Sequence, residues 1–519
     1  MKKQFKILVW MVLPTIIPFL GSCNDTWADH YDAEGQLSEE TLWDAIYSND
    51  DLKEFAAILE QTGYDKYLSE DQTYTVWAPQ GAIDTLLVSG ASMTEDELLT
   101  QVVKNHIARS AISVSASKND TITALNGKQM ALNYNSFNGV NLVTKNIVCR
   151  NGILHIIEQQ SEYNNNIWSY INQDDELDSL SNYLYSFTLE EFDAESSTQS
   201  GVKNGQKIYS DSVFVTTNEM WTKLGYMNSD SYNYWMLAPT DEAWNTAFET
   251  YGQYYNYPSG TDESYHDSYT KLAIVDNIMY QTDEQISPVD SLTSTTGFVF
   301  HSPFATDGIF SYVTDTVNCS NGTIYKTSKL SFSPEKTFMS TIVIEAENSD
   351  YVLEKNNCSE DDAVVLVTAA KTGLSNSRYM QFTPSGSKLK PNVTFALPNT
   401  LSGTYDIGVV FVPLNLTRNG WSSSIDQMPA KVALELTDEN DDTNNGYVEV
   451  NPALVAADKI DTVWVAQGHT FPYCDYFPDN EPSQSKVSIY VASVVKPSET
   501  STYTRTMYID CIVLKPSTK

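Results

Sequence analysis

The spacing of hydrophobic residues near the start of the chain has the period of an amphipathic helix. Apolar side chains recur at i, i+3, i+4 and i+7, at Leu52, Phe55, Ala56 and Leu59. Asn49 or Asp50 can cap this predicted helix, and Gly63 can end it. The β-branched and aromatic run TYTVWAP that follows predicts a short strand, which Pro79 stops. This part of the chain is therefore predicted to combine helices and strands.

From residue 334 onward the hydrophobic period changes from that of a helix to two. Runs such as STIVIEAE, NVTFALP, KVALELT and TRTMYIDCIVLKP alternate, turn residues separate them at short intervals, and no helical pattern stands out. The pattern predicts an all-β sandwich or jelly roll over residues 334–519. Its first and last runs loosely resemble the first and last strands of carbohydrate-binding β-sandwich modules.

The helix and strand signals of the first part occur twice. Four segment pairs align in the same order: residues 42–55 with 167–180, 74–83 with 234–243, 102–107 with 274–279, and 149–158 with 319–328. This agreement indicates an internal duplication. The second copy has a predicted surface insertion at about residues 190–232, which is rich in Ser, Asn and Gly. Each copy ends with an Asn-Gly pair, which predicts a type I′ hairpin turn because both positions of that turn need positive φ.

These segments resemble the fasciclin domain family. The resemblance rests on the strand ending Thr-Val-Trp-Ala-Pro, the pair Asn105-His106, and the closing segment Asn-Gly-Ile-Leu-His-Ile-Ile-Glu. Residues 38–163 match well, and residues 164–333 keep the order with more divergence. The resemblance implies a compact α+β unit that serves adhesion and ligand binding without catalysis. Members that bind integrins carry Tyr-His at Asn105-His106, so integrin binding is not carried over. His106 and His155 are predicted to be structural.

The first 23 residues predict export to the cell surface. A basic start precedes an apolar run that is too short to span a bilayer comfortably. The segment Leu-Gly-Ser-Cys then resembles the lipobox of bacterial lipoproteins, which implies a signal peptide over residues 1–22 and lipidation of Cys23. Residues 23–37 are predicted to be a tether. Its acidic residues resemble an address to the outer face of a Gram-negative outer membrane, so we expect a lipid-anchored surface protein.

Charge and cysteine content narrow the function further. The formal net charge is −36, which argues against nucleic acid as a partner because phosphate binding needs a basic face. The five cysteines after Cys23 form no CxxC pair, so we interpret most of them as small buried hydrophobic residues. No G-x-S-x-G, H-E-x-x-H, P-loop or G-x-G-x-x-G motif stands out. The chain is therefore not expected to be an enzyme.

Candidate ligand-binding residues are aromatic side chains of the predicted sandwich. Rings stack on sugar faces through dispersion contacts. The candidates are Trp421, Trp464, Tyr473, Tyr476 and Phe477. Trp421 is the leading candidate because it lies in a Gly/Ser-rich turn, while packing in the core or in loops is the alternative for each ring.

One acidic segment has the spacing of a Ca²⁺-binding loop. Asp438, Asn440, Asp442 and Glu449 occupy positions 1, 3, 5 and 12 of an EF-hand-like loop, with Thr443 at the position that needs Gly. Strands rather than helices flank it, so the alternative is an acidic hairpin. No cofactor other than this Ca²⁺ is predicted.

The sequence leaves three functions open. The first is a non-catalytic surface lipoprotein that binds a glycan or glycoprotein beside an outer-membrane glycan importer. The second is a structural adhesin whose partner is a protein or the extracellular matrix. The third is a glycan-degrading enzyme with an unrecognised site, and turnover would separate it from the other two.

Overall fold

The computed structural model describes residues 39–517, apart from 87–89, 91, 117–118, 204–205, 285–286, 361, 370–371, 426, 444–445 and 478–480. The chain divides into two compact units, Met1–Tyr163 and Asn164–Lys519. The predicted signal peptide, Cys23 and the whole predicted tether, residues 23–37, lie outside the described residues. Within these described ranges, no helix combines the length and the apolar character that crossing a bilayer requires.

The first unit is an α+β domain, hereafter the first domain. Its α-helices are Leu42–Tyr47, Lys53–Gln61, Asp65–Ser69 and Glu95–Glu97, and a π-helical stretch, Leu98–Val103, follows the last of them. Its strands are β1 (Tyr74–Pro79), β2 (Ile107–Ala108), β3 (Asp120–Thr123), β4 (Gln129–Leu132), β5 (Ser136–Phe137), β6 (Val140–Cys149) and β7 (Gly152–Ile157). They form one sheet in the order β2-β1-β7-β6-β5-β4-β3.

The predicted amphipathic helix is confirmed. Leu52, Phe55 and Leu59 are completely buried. Asn49 does cap this region, but its side chain accepts a hydrogen bond from the Asp51 N–H and so caps a 3₁₀ turn that leads into the helix. The predicted strand β1 is buried along its whole length and pairs in parallel with β7.

The second unit begins with a domain of the same topology, hereafter the second domain. Its α-helices are Ile167–Ile171, Asp178–Tyr185, Glu219–Leu224, Asp241–Gly252 and Glu263–Val275. Its strands are β8 (Thr188–Lys203), β9 (Gln206–Asn218), β10 (Tyr234–Pro239), β11 (Met279–Gln281), β12 (Ser291–Thr293), β13 (Val299–His301), β14 (Val313–Cys319) and β15 (Gly322–Thr327). The central sheet has the order β11-β10-β15-β14. The first part of the predicted insertion forms the two-stranded ribbon β8-β9. The prediction of a surface segment was wrong for its last part, because Met220, Trp221, Leu224 and Met227 are buried in the core.

The two copies share a register as well as an order. In the first domain Tyr74 pairs with Gly152, and in the second Tyr234 pairs with Gly322. A Cβ on either glycine would lie 1.9 Å from the carbonyl oxygen of the paired tyrosine. Only glycine therefore allows this close approach of the last strand to the first.

The Asn-Gly turns are not type I′, and this prediction was wrong. Positive φ is confined to the glycine of each pair. The Asn151 side chain instead binds main chain far away in sequence: its Oδ1 accepts from Leu42 N at 2.8 Å, and its Nδ2 donates to the carbonyls of Leu68 (2.8 Å) and Glu70 (2.7 Å). The asparagine therefore joins two helical segments to the closing turn.

Asn321 makes the equivalent bonds in the second domain. Its Oδ1 accepts from Ile167 N at 2.8 Å, and its Nδ2 donates to the carbonyls of Met227 (2.8 Å) and Ser229 (3.1 Å). Both asparagines are almost fully buried. The repeated sequence motif is thus explained by architecture, since each domain needs this buried amide at the same place.

The rest of the second unit is the predicted β-sandwich. Its strands are β16 (Ile342–Glu345), β17 (Val352–Asn356), β18 (Ala363–Leu366), β19 (Arg378–Phe382), β20 (Asn392–Ala396), β21 (Gly403–Phe411), β22 (Leu416–Thr417), β23 (Gly420–Trp421), β24 (Ala430–Asp438), β25 (Tyr447–Val455), β26 (Asp461–Phe471), β27 (Val487–Ser493) and β28 (Met507–Pro516). One sheet has the order β18-β19-β28-β21-β26, with β16 also paired to β28, and the other has the order β17-β20-β27-β24-β25. The fold prediction of two α+β domains followed by a β-sandwich is confirmed.

Candidate ligand-binding site

The outer face of the five-stranded sheet carries a polar row that crosses all five strands. Along β24, Val432, Leu434 and Leu436 are buried in the core, so Glu435 between them points outward. Strand register continues this outward position through Glu354, Thr394, Tyr490, Glu435 and Glu449. Opposed residues on antiparallel strands have Cβ atoms about 4.5–5.5 Å apart, so the row is continuous. We call these five residues the polar row.

Hydrogen bonds orient the carboxylates at the two ends of the polar row. Asn356 Nδ2 donates to Glu354 Oε1 at 2.8 Å, and Asn451 Nδ2 donates to Glu449 Oε1 at 2.9 Å. Each amide lies on the same strand as the carboxylate that it holds. A carboxylate accepts several hydrogen bonds, so the orienting amides leave acceptor capacity on the exposed side.

Two tyrosines lie among these carboxylates. Desolvation raises the pKa of Tyr490, and the charges of Glu435 and Glu354 raise it further. Desolvation together with Glu435 and Glu449 likewise raises the pKa of Tyr447, which pairs with the outward-facing Thr437. Both phenols therefore stay protonated at neutral pH and remain hydrogen-bond donors.

This face combines aromatic rings, hydroxyl groups and carboxylates within one surface. Rings pack against the apolar faces of sugars, and carboxylates accept strong hydrogen bonds from hydroxyl groups. The three glutamates also make the face negative, which disfavours an anionic ligand. Its chemistry suits a neutral, hydroxyl-rich ligand.

Trp421 and Trp464 lie elsewhere in the sandwich. Trp421 is 50% exposed on the small β22–β23 hairpin, which buried Leu416 anchors. The Trp464 ring lies across Gly408, where a Cβ would come within 2.8 Å of the ring, and Lys515 Nζ lies 5.4 Å from the ring centroid. The exposed Trp421 ring keeps its status as a candidate contact residue.

Tyr476 and Phe477 pack against the second domain. The Tyr476 ring centroid lies 4.7 Å from that of Tyr269, and the Phe477 centroid lies 5.4 Å from that of Tyr257. These two rings therefore connect the second domain to the sandwich, a role that the sequence did not reveal. Tyr473, the fifth predicted aromatic, is half-buried nearby.

The structure does not bring the four residues of the EF-hand-like loop together. Asp438 is buried and accepts a hydrogen bond from Asn440 N at 2.9 Å. Glu449 lies within β25 opposite Glu435, on the outer face, while Asp442 is exposed in the loop. Among the residues with described positions, no group of three or more His, Cys, Asp or Glu side chains is arranged to hold a metal ion.

A cluster of acidic side chains that the sequence analysis did not predict lies where β16 pairs with β28. Ser375 N donates to both carboxylate oxygens of the buried Asp510, at 3.1 Å each, and the Ser375 hydroxyl donates to Glu345. Burial first, and then the charges of Glu345 and Glu347, raise the pKa of Asp510 to about 7. Asp510 therefore changes its protonation state near neutral pH. The acidic residues in IVIEAEN and YIDCIVL were the only signal of this cluster in the sequence.

His106 lies inside the first domain, completely buried. Its Nε2 accepts a hydrogen bond from Ser161 N at 2.9 Å, so the proton is on Nδ1, which lies 2.6 Å from the Val102 carbonyl. Burial lowers the pKa of His106 to about 4. His155 is also buried, stacks on Trp77, and has a lowered pKa for the same reason. The prediction that both histidines are structural is confirmed.

Comparison with known proteins identifies the first domain. The sequence profile of the fasciclin domain matches residues 50–160. These residues form a fasciclin domain. No curated protein sequence matches the chain significantly. Among solved structures, the FAS1 domain pair of the insect cell adhesion molecule fasciclin I is similar to this chain, at 11% identity and a TM-score of 0.21, over 55% of this chain and 98% of its own.

Two carbohydrate-binding modules are also similar. The xylan-binding domain CBM22-2 from Paenibacillus barcinonensis shows 13% identity and a TM-score of 0.20, over 34% of this chain and 99% of its own. A family 35 carbohydrate-binding module from Clostridium thermocellum shows 10% identity and a TM-score of 0.18, with 34% and 99% coverage. All three TM-scores are far below 0.5, so function has to be argued from the residues.

Within the fasciclin domain, the Asn105-His106 pair is not a surface feature. Asn105 is completely buried, donates to the Ser161 carbonyl at 3.3 Å and accepts from Asn126 Nδ2 at 2.9 Å. Neither side chain is available to a partner in this arrangement. The pair therefore fixes the end of the domain around Ser161.

Proposed function

We propose that this chain is a non-catalytic cell-surface binding protein that recognises a neutral glycan, free or on a glycoprotein. The polar row of the five-stranded sheet is the binding surface, and Trp421 supplies a separate exposed ring. The two fasciclin-type domains and the sandwich serve recognition and adhesion, and no step of catalysis is assigned to any residue.

One observation carries this proposal. Tyr490 lies between Thr394 and Glu435 in the polar row, so an aromatic ring is flanked by a hydroxyl and a carboxylate in positions that strand register fixes. A sugar ring resting on Tyr490 would direct its hydroxyl groups toward these neighbours. The site is built on strands, which hold side chains more rigidly than loops do.

The same proposal includes an anchored location. Acylation of Cys23 would attach the chain to the outer membrane of a Gram-negative bacterium, with the domains facing outward. A binding protein in that position would concentrate glycan beside an outer-membrane importer. Metabolic labelling with a radioactive fatty acid tests the anchor, and labelling that persists in Cys23→Ser would contradict it.

Glycan binding by residues 24–519, expressed without the leader, tests the binding surface. We expect Tyr490→Ala to weaken affinity about two- to tenfold, because a stacked ring contributes about 0.5–1.5 kcal/mol beyond its buried area. Glu435→Gln should weaken it as well, while Tyr67→Ala in the fasciclin domain, which removes an exposed ring of the same kind, should have no effect.

Three results would contradict this proposal in different ways. If the chain binds no glycan, the proposed class of ligand is wrong. If Tyr490→Ala and Glu435→Gln both leave affinity unchanged, the polar row is not the binding surface. Release of shorter sugars during incubation would show a glycan-degrading enzyme.

The fasciclin match favours a second candidate function, a structural adhesin with a protein or matrix partner. Such an adhesin would bind immobilised matrix proteins, and Tyr490→Ala would leave that binding unchanged. Binding to matrix proteins that depends on Tyr490 would instead point back to their glycans.

A further inference from the structure

The second domain and the sandwich are joined by a buried and hydrogen-bonded contact. Asn256 donates through its N–H to Ser402 Oγ at 3.2 Å and through Nδ2 to the Pro472 carbonyl at 2.7 Å. Its own carbonyl accepts from Cys474 N at 2.8 Å. Tyr255, 5% exposed, packs beside Tyr476 across the same contact. Surfaces on the two sides of this contact therefore have fixed relative positions.

A groove opens beside this contact, and we call it the junction groove. It has a volume of about 520 Å³, which lies within the range of small-molecule sites, and such sites occur preferentially at domain interfaces. The turn after helix Asp241–Gly252 supplies Gln253 and Tyr254 on one side, and β21 and β26 supply Thr404 and Thr470 on the other. Each side comes from a different module, so the groove depends on their contact.

Gly403 lies in the lining of the junction groove, next to the side chains of Met339 and Tyr254. A Cβ on Gly403 would lie 2.6 Å from Met339 Cε and 3.5 Å from Tyr254 Cδ1. The glycine therefore lets a thioether and an aromatic ring pack closely against β21. A second hollow of about 440 Å³, lined by Phe248, His266 and Asn256 among others, shares Gln253 with the groove.

The lining is rich in neutral polar groups. Thr404 Oγ1 and Thr470 Oγ1 lie 2.9 Å apart, and Ser517 and Gln253 add further groups that donate and accept hydrogen bonds. Neither Lys nor Arg is part of the described lining, which argues against an anionic ligand.

Glu335 is the carboxylate of this lining. It accepts a hydrogen bond from the Ser333 hydroxyl at 2.5 Å, and its charge adds to burial in raising the pKa of Tyr254. The Tyr254 hydroxyl therefore stays protonated as a donor beside an acceptor. A ring with an apolar face and several hydroxyl groups fits this combination.

We propose that the junction groove is a second binding site, which takes one or two neutral sugar units across the second domain and the sandwich. The inference rests on the proposed function for the class of ligand, but it uses none of the residues of the polar row. A chain with both sites binds two glycan segments.

Titration calorimetry of residues 24–519 with xylohexaose, cellohexaose, mannohexaose and laminarihexaose tests the groove. We expect a stoichiometry of two for the bound sugar. The double variant Gln253→Ala/Thr470→Val should lower the stoichiometry to one or weaken that step at least about fivefold. Thr462→Val is the matched control, because it makes the same change on β26 outside the groove.

The outcomes separate this proposal from the one before it. Loss or weakening of one binding step in the groove variant, together with weakening of the other step in Tyr490→Ala, supports both sites. Stoichiometry of one that depends on Tyr490 alone overturns the groove and leaves the proposed function standing. Binding that depends on the groove alone supports the groove and moves recognition away from the polar row. Lack of binding to all four sugars overturns both.

Discussion

Acidification should destabilise the fasciclin domain through His106, whose ring is neutral and completely buried. Burial lowers its pKa from 6.5 to about 4, so the unfolded chain binds the proton more tightly than the folded chain does. Stability from this residue is fully present above about pH 6.5 and is lost as the pH falls toward about 4. The neutral ring also accepts from Ser161 N at 2.9 Å, a bond that protonation of Nε2 would break.

The size of the effect follows from the two pKa values. A difference of 6.5 − 4 corresponds to about 3 kcal/mol at about 1.36 kcal/mol for each pH unit. Between about pH 7 and about pH 4.5 the domain should lose about 2 kcal/mol of unfolding free energy through His106 alone. His155, whose pKa is also lowered, adds a loss of the same sign. The aligned positions of the second domain hold Ile278 and Tyr325 and lack this dependence.

Hydrogen exchange of the whole chain measures both domains at once. Peptides covering residues 98–107 and 152–161 report on the fasciclin domain, and peptides covering 234–239 and 274–281 report on the second domain. The protection of the first pair should fall on acidification more than that of the second pair, after correction for intrinsic exchange rates. His106→Gln should lower stability at neutral pH and flatten the pH dependence. An equal pH dependence in wild type and variant would refute the reasoning.

Two further predictions concern the second domain. Lys326→Met should cost about 2 kcal/mol, because it leaves the largely buried Asp174 carboxylate without the cation that contacts it at 3.0 Å. Urea unfolding measures this loss, and we expect Asp174→Asn to rescue stability in the double variant. Gly322→Ala should prevent this domain from folding, because its Cβ would lie 1.9 Å from a main-chain oxygen. Gly201→Ala is the control, because open space surrounds that glycine, and it should behave as wild type in circular dichroism and proteolysis. A soluble, protease-resistant Gly322→Ala chain would contradict the close approach.

Features that depend on short sequence windows were predictable. The period of Leu52, Phe55 and Leu59 predicted a buried helical face, and alternation after residue 334 predicted strands. The duplication was visible because corresponding residues occupy equivalent places in both domains. These signals are local or repeated, so they can be detected in a single sequence.

Features that depend on distant partners were not predictable. The Asn-Gly pairs were interpreted from local turn preference, whereas the Asn151 amide bonds to main chain at residues 42, 68 and 70. Tyr476 and Phe477 had the composition of a sugar-binding surface, yet they pack against helix Glu263–Val275 and its surroundings. The polar row could not be predicted, because five strands far apart in sequence contribute one residue each.

All three modules pair an early strand with their last one: β1 with β7, β10 with β15, and β16 with β28. Contacts of this kind close long loops and are slow to form. As the chain emerges during synthesis, each module therefore stays incomplete until its final strand appears. The sandwich stays incomplete longest, because its final strand β28 also pairs with β19 and β21. A chain cut before Met507 would expose three strand edges at once. Such a fragment would be prone to aggregation and a target for chaperones and proteases.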